Sequence, residues 1–405
     1  MLKRYFLNNK KRNFSTASIW IKGGSDMDST GKKGINKILC SLLTRGCEGF
    51  NNFTLSEYIE SYGAELNQEI FEDGISISIK SLNEHFSKLF PLLDLIINKP
   101  ILSETEFKKV KKSSIDHIKK DKENPFNICF EKWRKIVYSN HPYAFNTIGN
   151  ANDVSKITYE DVLLEFKNLK NREKYLISNN PEINGENFGT LEKKILKEKS
   201  DPLNHNLNTT NRFDYINNDS NQTIIMMGDQ TCSRRSSEYF PLKVLESYLS
   251  YGMSAALFKL FREKHGITYD LGVYYPIRSG NAPFLIYLSV SNKQALFAFE
   301  LLSTLWKNLL LNPLTDAEIF LAKEKLKGSF LLGNQSLDEI LQRKIQLVSY
   351  GISPISENDL NSKIEEISSL DILKLTNKYF SKPFLSISGN KNICLEISNR
   401  WKKNF

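Results

Sequence analysis

Ala17-Ser-Ile-Trp-Ile-Lys-Gly-Gly24 is a short apolar run that stops on glycine, and the second half of the chain holds its counterpart, Gln222-Thr-Ile-Ile-Met-Met-Gly228. Both read as buried strands bounded by a turn residue. Working outward, each is followed by a helical pattern, 34–45 and 240–264, and then by two strand patterns, 65–72 with 75–80 and 267–275 with 284–290. Ile75-Ser-Ile-Ser-Ile-Lys80 alternates cleanly, which predicts one buried and one wet face. Amphipathic helices come next, at 85–97 and 294–310, ending near Pro100 and Pro313. Both halves then offer a capping box, Ser103-Glu-Thr-Glu106 and Thr315-Asp-Ala-Glu318. They close on Ile157-Thr-Tyr-Glu-Asp-Val162 and Ile367-Ser-Ser-Leu-Asp-Ile372, each entering a further helix.

Five matched elements in one order amount to an internal repeat. They predict an α+β fold of two homologous domains, each an antiparallel sheet with helices packed on one face. The expected boundaries are 1–180 for the first domain, 181–222 for a linker and 223–405 for the second. The stretch from Ser178 to Gln222 holds eleven asparagines in 45 residues with little apolar periodicity, which is linker composition. At the N-terminus, residues 3–7, the turn-prone Asn8-Asn9 and residues 16–22 read as a β-hairpin.

The chain has 405 residues, of which 40% are hydrophobic and 11% aromatic, enough for two cores. Its net charge of +9 is thinly spread, and the lysine-dense run 108–122, broken by Asp116 and Asp121, reads as a solvated helix face. No basic surface interleaved with aromatics points to nucleic acid. Cys40, Cys47, Cys129, Cys232 and Cys394 are odd in number and form no Cys-x-x-Cys, as expected of free thiols in a reducing compartment. No apolar run is long enough to span a membrane, and the basic N-terminus lacks the apolar core of a signal peptide. A soluble, cytoplasmic protein is the expectation.

One string is more specific. Leu260-Phe-Arg-Glu-Lys-His-Gly-Ile-Thr-Tyr269, with Gly63-Ala-Glu-Leu-Asn67, His141-Pro-Tyr143 and Ile148-Gly149, resembles the insulinase-like or pitrilysin-type peptidases, the M16 inverted zincins. The similarity runs over nearly the whole chain, and within the family's Leu-Arg-Glu-Lys-x-Gly-x-x-Tyr string only the leucine has changed, to Phe261. Active members of that family carry His-x-x-Glu-His on the first helix, where two histidines grip a zinc ion and the glutamate acts on water. In the matching stretch, Gly34-Ile-Asn-Lys-Ile-Leu-Cys-Ser-Leu-Leu-Thr-Arg-Gly46, those positions read Lys37, Cys40 and Ser41. An ammonium has no lone pair and a serine hydroxyl is a poor ligand. The family's third ligand, a glutamate, falls at His117, which by itself reads as a surface or capping histidine. The resemblance therefore implies no metal and no cofactor in this chain.

It also implies a division of labour. In two-chain members one subunit carries the zinc and the other an Arg/Tyr pair that reaches the substrate, and Arg262 and Tyr269 stand at those positions. A guanidinium and a phenol could hold a peptide carbonyl and the oxyanion that forms from it. Read without the resemblance, Arg262 is an ordinary helix-surface cation and Tyr269 a strand aromatic. Ser254, in Gly252-Met-Ser-Ala-Ala256, lacks the second glycine of a nucleophile elbow and reads as packing. The leading expectation is a zinc-less subunit of a heterodimeric endopeptidase. Its partner would be a homologue with His-x-x-Glu-His that supplies zinc, and its substrates unstructured peptides bound at a sheet edge. The alternative is a non-enzymatic scaffold or peptide-holding clamp, as a homodimer.

Overall fold

The computed structural model describes residues 2–7, 13–183, 185–187, 211–218, 220–268, 270–333, 336–352 and 357–405, the side chains of 186–187 and 357–359 excepted. Its strands in chain order are β1 (Leu2–Phe6), β2 (Phe14–Lys22), β3 (Gly46–Cys47), β4 (Phe50–Asn51), β5 (Glu65–Ile70), β6 (Gly74–Leu82), β7 (Lys174–Ser178) and β8 (Glu186–Asn187). There follow β9 (Phe213–Asn217), β10 (Gln222–Gln230), β11 (Asp270–Tyr274), β12 (Pro283–Ser291) and β13 (Phe384–Gly389). One sheet has the order β5-β6-β2-β7-β1-β8 and the other β11-β12-β10-β13-β9, so the repeat is exact in strand order apart from β8. Neighbours run antiparallel except that β1 lies parallel to β7 and β8, and β9 parallel to β13.

The hairpin expected at the N-terminus does not form. β7 lies between β1 and β2, pairing with β2 in antiparallel register and with β1 in parallel register. Every residue of β7 is buried, so it belongs inside a sheet and displaces the local pairing that chain proximity suggests. Its counterpart in the second sheet, β13, is likewise buried throughout and separates β10 from β9. β9 itself comes from within the Asn-rich stretch, of which 184, 188–210 and 219 lie outside the described residues.

The chain packs as two compact units, neither continuous in sequence. The first comprises Met1–Lys120, Phe145–Ser200 and Gly333–Ile355, and the second Asp121–Ala144, Asp201–Leu332 and Ser356–Phe405. Each repeat thus keeps its own sheet and gives one helix to the other repeat's unit.

In the first unit, the alternation of β2 sorts its side chains. Ala17, Ile19 and Ile21 join Ile75, Ile77 and Ile79 of β6 in the main core, beneath the helix Ile35–Leu43 and its neighbours. Trp20 points the other way, into a second cluster with Tyr5, Tyr175 and Ile177. That face was expected to be wet. It is instead covered by the helix Leu337–Ser349, whose Leu337, Leu341, Ile345 and Val348 complete the cluster at helical spacing. Ser18 and Ser76 are buried on this face with their hydroxyls 3.4 Å apart. Polar bonds tie both ends of the helix to its sheet: Thr16 Oγ1 donates to Asp338 at 2.7 Å, and Tyr350 Oη to Asp73 at 2.8 Å.

In the second unit the donated helix is Pro125–Tyr138. Cys129 lies against β13, its thiol donating to Ser386 Oγ at 3.5 Å and its carbonyl accepting from the Ser386 hydroxyl at 3.0 Å. Lys132 pairs with Asp214 of β9 at 2.9 Å, and Phe130 meets Tyr274 of β11 edge-on at 5.2 Å. Capping boxes close the entry to the helices Tyr159–Asn171 and Ser369–Phe380, Thr158 with Asp161 and Ser368 with Asp371. Thr315 and Glu318 are also reciprocal, whereas Ser103 only caps Glu106, whose carboxylate turns to Arg45 and Lys109.

Candidate functional site

The helix Ile35–Leu43 is capped at a distance. Asp28 accepts from Gly34 N at 2.7 Å, Asn36 N at 3.1 Å and Asn36 Nδ2 at 2.8 Å, satisfying donors that a helix start leaves open. Burial pushes the Asp28 carboxyl up to about 6 in spite of these bonds. On this helix Lys37 and Ser41 are partly exposed, and Cys40 between them is wholly buried. Burial pushes the Cys40 thiol up to about 12, against a smaller pull from Lys37. A thiol that stays protonated is neither ligand nor nucleophile. His117 lies exposed on the helix Glu104–Asp121. Among the described residues no group of three or more His, Cys, Asp or Glu side chains could hold a metal ion. Lys37, Cys40 and Ser41 thus do not fit a zinc ion.

The Arg262 region is built differently. Residues 240–264 were expected to form one helix, but it breaks after Tyr239–Ser250. Gly252, at φ 73°, takes the chain through a left-handed turn that ends the first helix. The second piece, Phe258–Lys264, winds as a π-helix, a rare form that concentrates at functional sites. Arg262 is exposed there, its guanidinium 4.9 Å from the ring centre of Phe258, while Phe261 is fully buried beneath it. Gly266 ends this helix at φ 61° and returns a hydrogen bond to the Arg262 carbonyl at 3.1 Å. Beyond it Ile267 N donates to Phe261 O at 2.9 Å. Buried Thr268 then accepts from Asp270 N at 3.2 Å and donates to Ser289 O of β12. Tyr269 itself lies outside the described residues, but both of its neighbours are fixed to the start of β11, an outer strand of its sheet.

A further pair escaped the sequence reading. Lys37-Ile-Leu-Cys-Ser-Leu-Leu-Thr-Arg-Gly46 and Lys243-Val-Leu-Glu-Ser-Tyr-Leu-Ser-Tyr-Gly252 align without a gap, and both sit on the first helix of their repeat. Lys243 and Glu246 therefore occupy the places of Lys37 and Cys40. They form a buried ion pair at 2.7 Å, with Lys243 also donating to Tyr275 O at 3.0 Å. Burial works against the Lys243 ammonium, but Tyr239 and Glu246 outweigh it; burial likewise raises Glu246, only partly offset by Lys243. The ten-residue frame was the signal that could have found this pair. Ser247, in the place of Ser41, donates to Ala322 O at 2.8 Å and so holds the helix Asp316–Leu332.

Known proteins share this fold. Residues 4–151 match the family model described as insulinase (peptidase family M16), and residues 182–326 the one described as the M16 inactive domain. An uncharacterised zinc protease of Rickettsia felis is 24% identical, the match covering 89% of this chain and 88% of that protein. The mitochondrial-processing peptidase subunit beta of Saccharomyces cerevisiae is 21% identical, with 95% of this chain and 88% of that one covered. Among solved structures, an M16 inactive-domain protein from Pseudomonas fluorescens superposes with a TM-score of 0.80 at 19% identity, covering 96% of this chain and 95% of that one. A protease from Helicobacter pylori gives 0.81 at 17% identity, over 95% and 96%. With matched models spanning both repeats and the same fold throughout, the chain belongs to the M16, insulinase-like peptidase family.

Proposed function

We propose that this chain is the non-metal-binding subunit of a heterodimeric endopeptidase, with Arg262 and Tyr269 binding the peptide substrate at a site where a homologous partner supplies zinc. The observation that carries the reading is an asymmetry. The helix that bears the metal motif in active relatives is kept as a fold element with Lys37, Cys40 and Ser41 in it, whereas Arg262 stands exposed on a π-helical turn held at its C-terminal end. Arg262 would offer paired N–H donors to the substrate carbonyl and Tyr269 one O–H donor. As negative charge develops on that oxygen in the transition state, these donors hold it more tightly than they hold the neutral carbonyl, which is the condition for catalysis. Unstructured peptides would be taken by main-chain bonding along an outer strand such as β11. Five buried cysteines, all free, support a reducing, cytoplasmic setting.

Co-expression with a homologue that carries His-x-x-Glu-His tests the reading. A stable complex that cleaves peptides is expected, with Arg262→Ala and Tyr269→Phe each lowering turnover about a hundred- to a thousand-fold while leaving association intact. Unchanged turnover would remove the proposed role. The match of residues 182–326 to an inactive domain favours one alternative, a homodimeric peptide clamp without catalysis. Sedimentation of the chain alone separates the two readings.

A further inference from the structure

We propose that the second unit carries a pocket for a small organic anion, held by Lys259 and Lys325. The pocket has a volume of about 280 Å³, near the lower end for small-molecule sites, and lies where the helices Tyr239–Ser250 and Asp316–Leu332 meet the π-helix. Lys259 and Lys325 both line it. Lys325, half-buried, is pushed below the usual lysine range by burial first and then by the charge of Lys259, an exposed side chain of the π-helix.

The local charge balance is uneven. Glu318 is the carboxylate lining the pocket, and its oxygens are already engaged: Oε2 accepts from Thr315 N at 2.9 Å and Thr315 Oγ1 at 2.8 Å, and Oε1 from Tyr248 Oη at 3.0 Å. Neither lysine forms an ion pair among the described residues. The neighbouring lysines of the same helix do, Lys323 with Glu365 at 3.8 Å and Lys327 with Glu324 at 2.8 Å. In the first unit the equivalent carboxylate, Glu106, is matched by Arg45 at 3.1 Å and Lys109 at 2.7 Å. Glu318 itself feels the charge of Lys259 but pairs with neither lysine, so two cations and one carboxylate line the cavity with a net positive charge. An anion there would relieve the repulsion between the two ammoniums.

The remaining lining sets the shape of the ligand. Ala256 and Ala322 leave room that larger side chains would fill, and Leu321 adds an apolar wall. The ligand is a carboxylate or phosphate carried on a short carbon chain. The pocket lies wholly within this chain and needs neither a partner subunit nor catalysis.

Equilibrium dialysis of the full chain against butyrate and against inorganic phosphate provides the test. Saturable one-to-one binding of at least one is expected, with a Kd of about 1 mM or tighter. Preference for butyrate identifies a carboxylate with its chain, and preference for phosphate a phosphoryl group; either supports the site. Lys259→Gln and Lys325→Gln should each weaken binding about tenfold, as loss of a charge-assisted hydrogen bond does. Lys402→Gln, at an exposed position outside the pocket lining, should leave it unchanged. Ala317→Trp, at an exposed lining position, should block binding with both lysines intact. Thermal melts check that each variant folds. Binding of neither anion, equal weakening by Lys402→Gln, or full binding by Ala317→Trp would each overturn the proposal.

Discussion

Replacing Glu246 by leucine isolates the buried ion pair on the second repeat's first helix. The Lys243 side chain is 13% exposed and that of Glu246 9%, so neither charge can turn to water when the other is lost. Removing one partner of such a pair costs about 3–5 kcal/mol, because the surviving charge stays buried without compensation. For a unit of this size each kcal/mol lowers the melting temperature by about 2–4 °C, which places Glu246→Leu about 6–20 °C below the parent. The double variant Lys243→Met/Glu246→Leu removes both charges at similar volume and should recover most of the loss. Differential scanning calorimetry of the parent, both single variants and the double variant reads the cycle directly. A single variant within about 1 kcal/mol of the parent, or a double variant no more stable than Glu246→Leu, would refute the claim that the pair is held in a desolvated site.

Three further outcomes are expected. Burial pushes Asp26 and Asp229 up to about 7, so the stability each contributes is full below about pH 4 and is lost as pH rises through 7. Asp26→Asn should therefore flatten the fall in urea midpoint between pH 4.5 and 8, and an unchanged slope would contradict this. Gly266→Ala meets open space but must hold φ 61°, so backbone strain alone should cost about 1–2 kcal/mol in chemical denaturation. Gly24→Ala should cost more, about 3 kcal/mol, since its Cβ would sit 1.9 Å from Phe71 O; a smaller loss than at Gly266 would show that the turn between β5 and β6 yields easily.

The elements legible in the sequence were those whose cause is local. Alternation placed β6, and a Thr-x-x-Glu capping box marked the helix entry at Thr315. The pairing of β1 was not legible, because the run that separates it from β2 begins at Lys174, far along the chain. Nor was the cover over Trp20: Leu337–Ser349 reads as an amphipathic helix, but no periodicity says which sheet its apolar stripe will meet. At the site, Lys37, Cys40 and Ser41 could be placed because a helix keeps its frame when side chains change. The break at Gly252 and the π winding around Arg262 were missed, since a left-handed glycine and an overwide turn leave the apolar spacing of 240–264 looking like one helix.

The exchange of helices bears on how the molecule can be divided. A cut in the Asn-rich stretch would leave the N-terminal fragment with the sheet of the first unit but without Leu337–Ser349, exposing Trp20 and Tyr175. The C-terminal fragment would keep its own sheet but lose Pro125–Tyr138, uncovering the strands against which Cys129 and Phe130 rest. Each piece would carry the helix that covers the other's sheet. Expressed apart they should aggregate through those bared faces, and expressed together they should reassemble without a peptide bond between them.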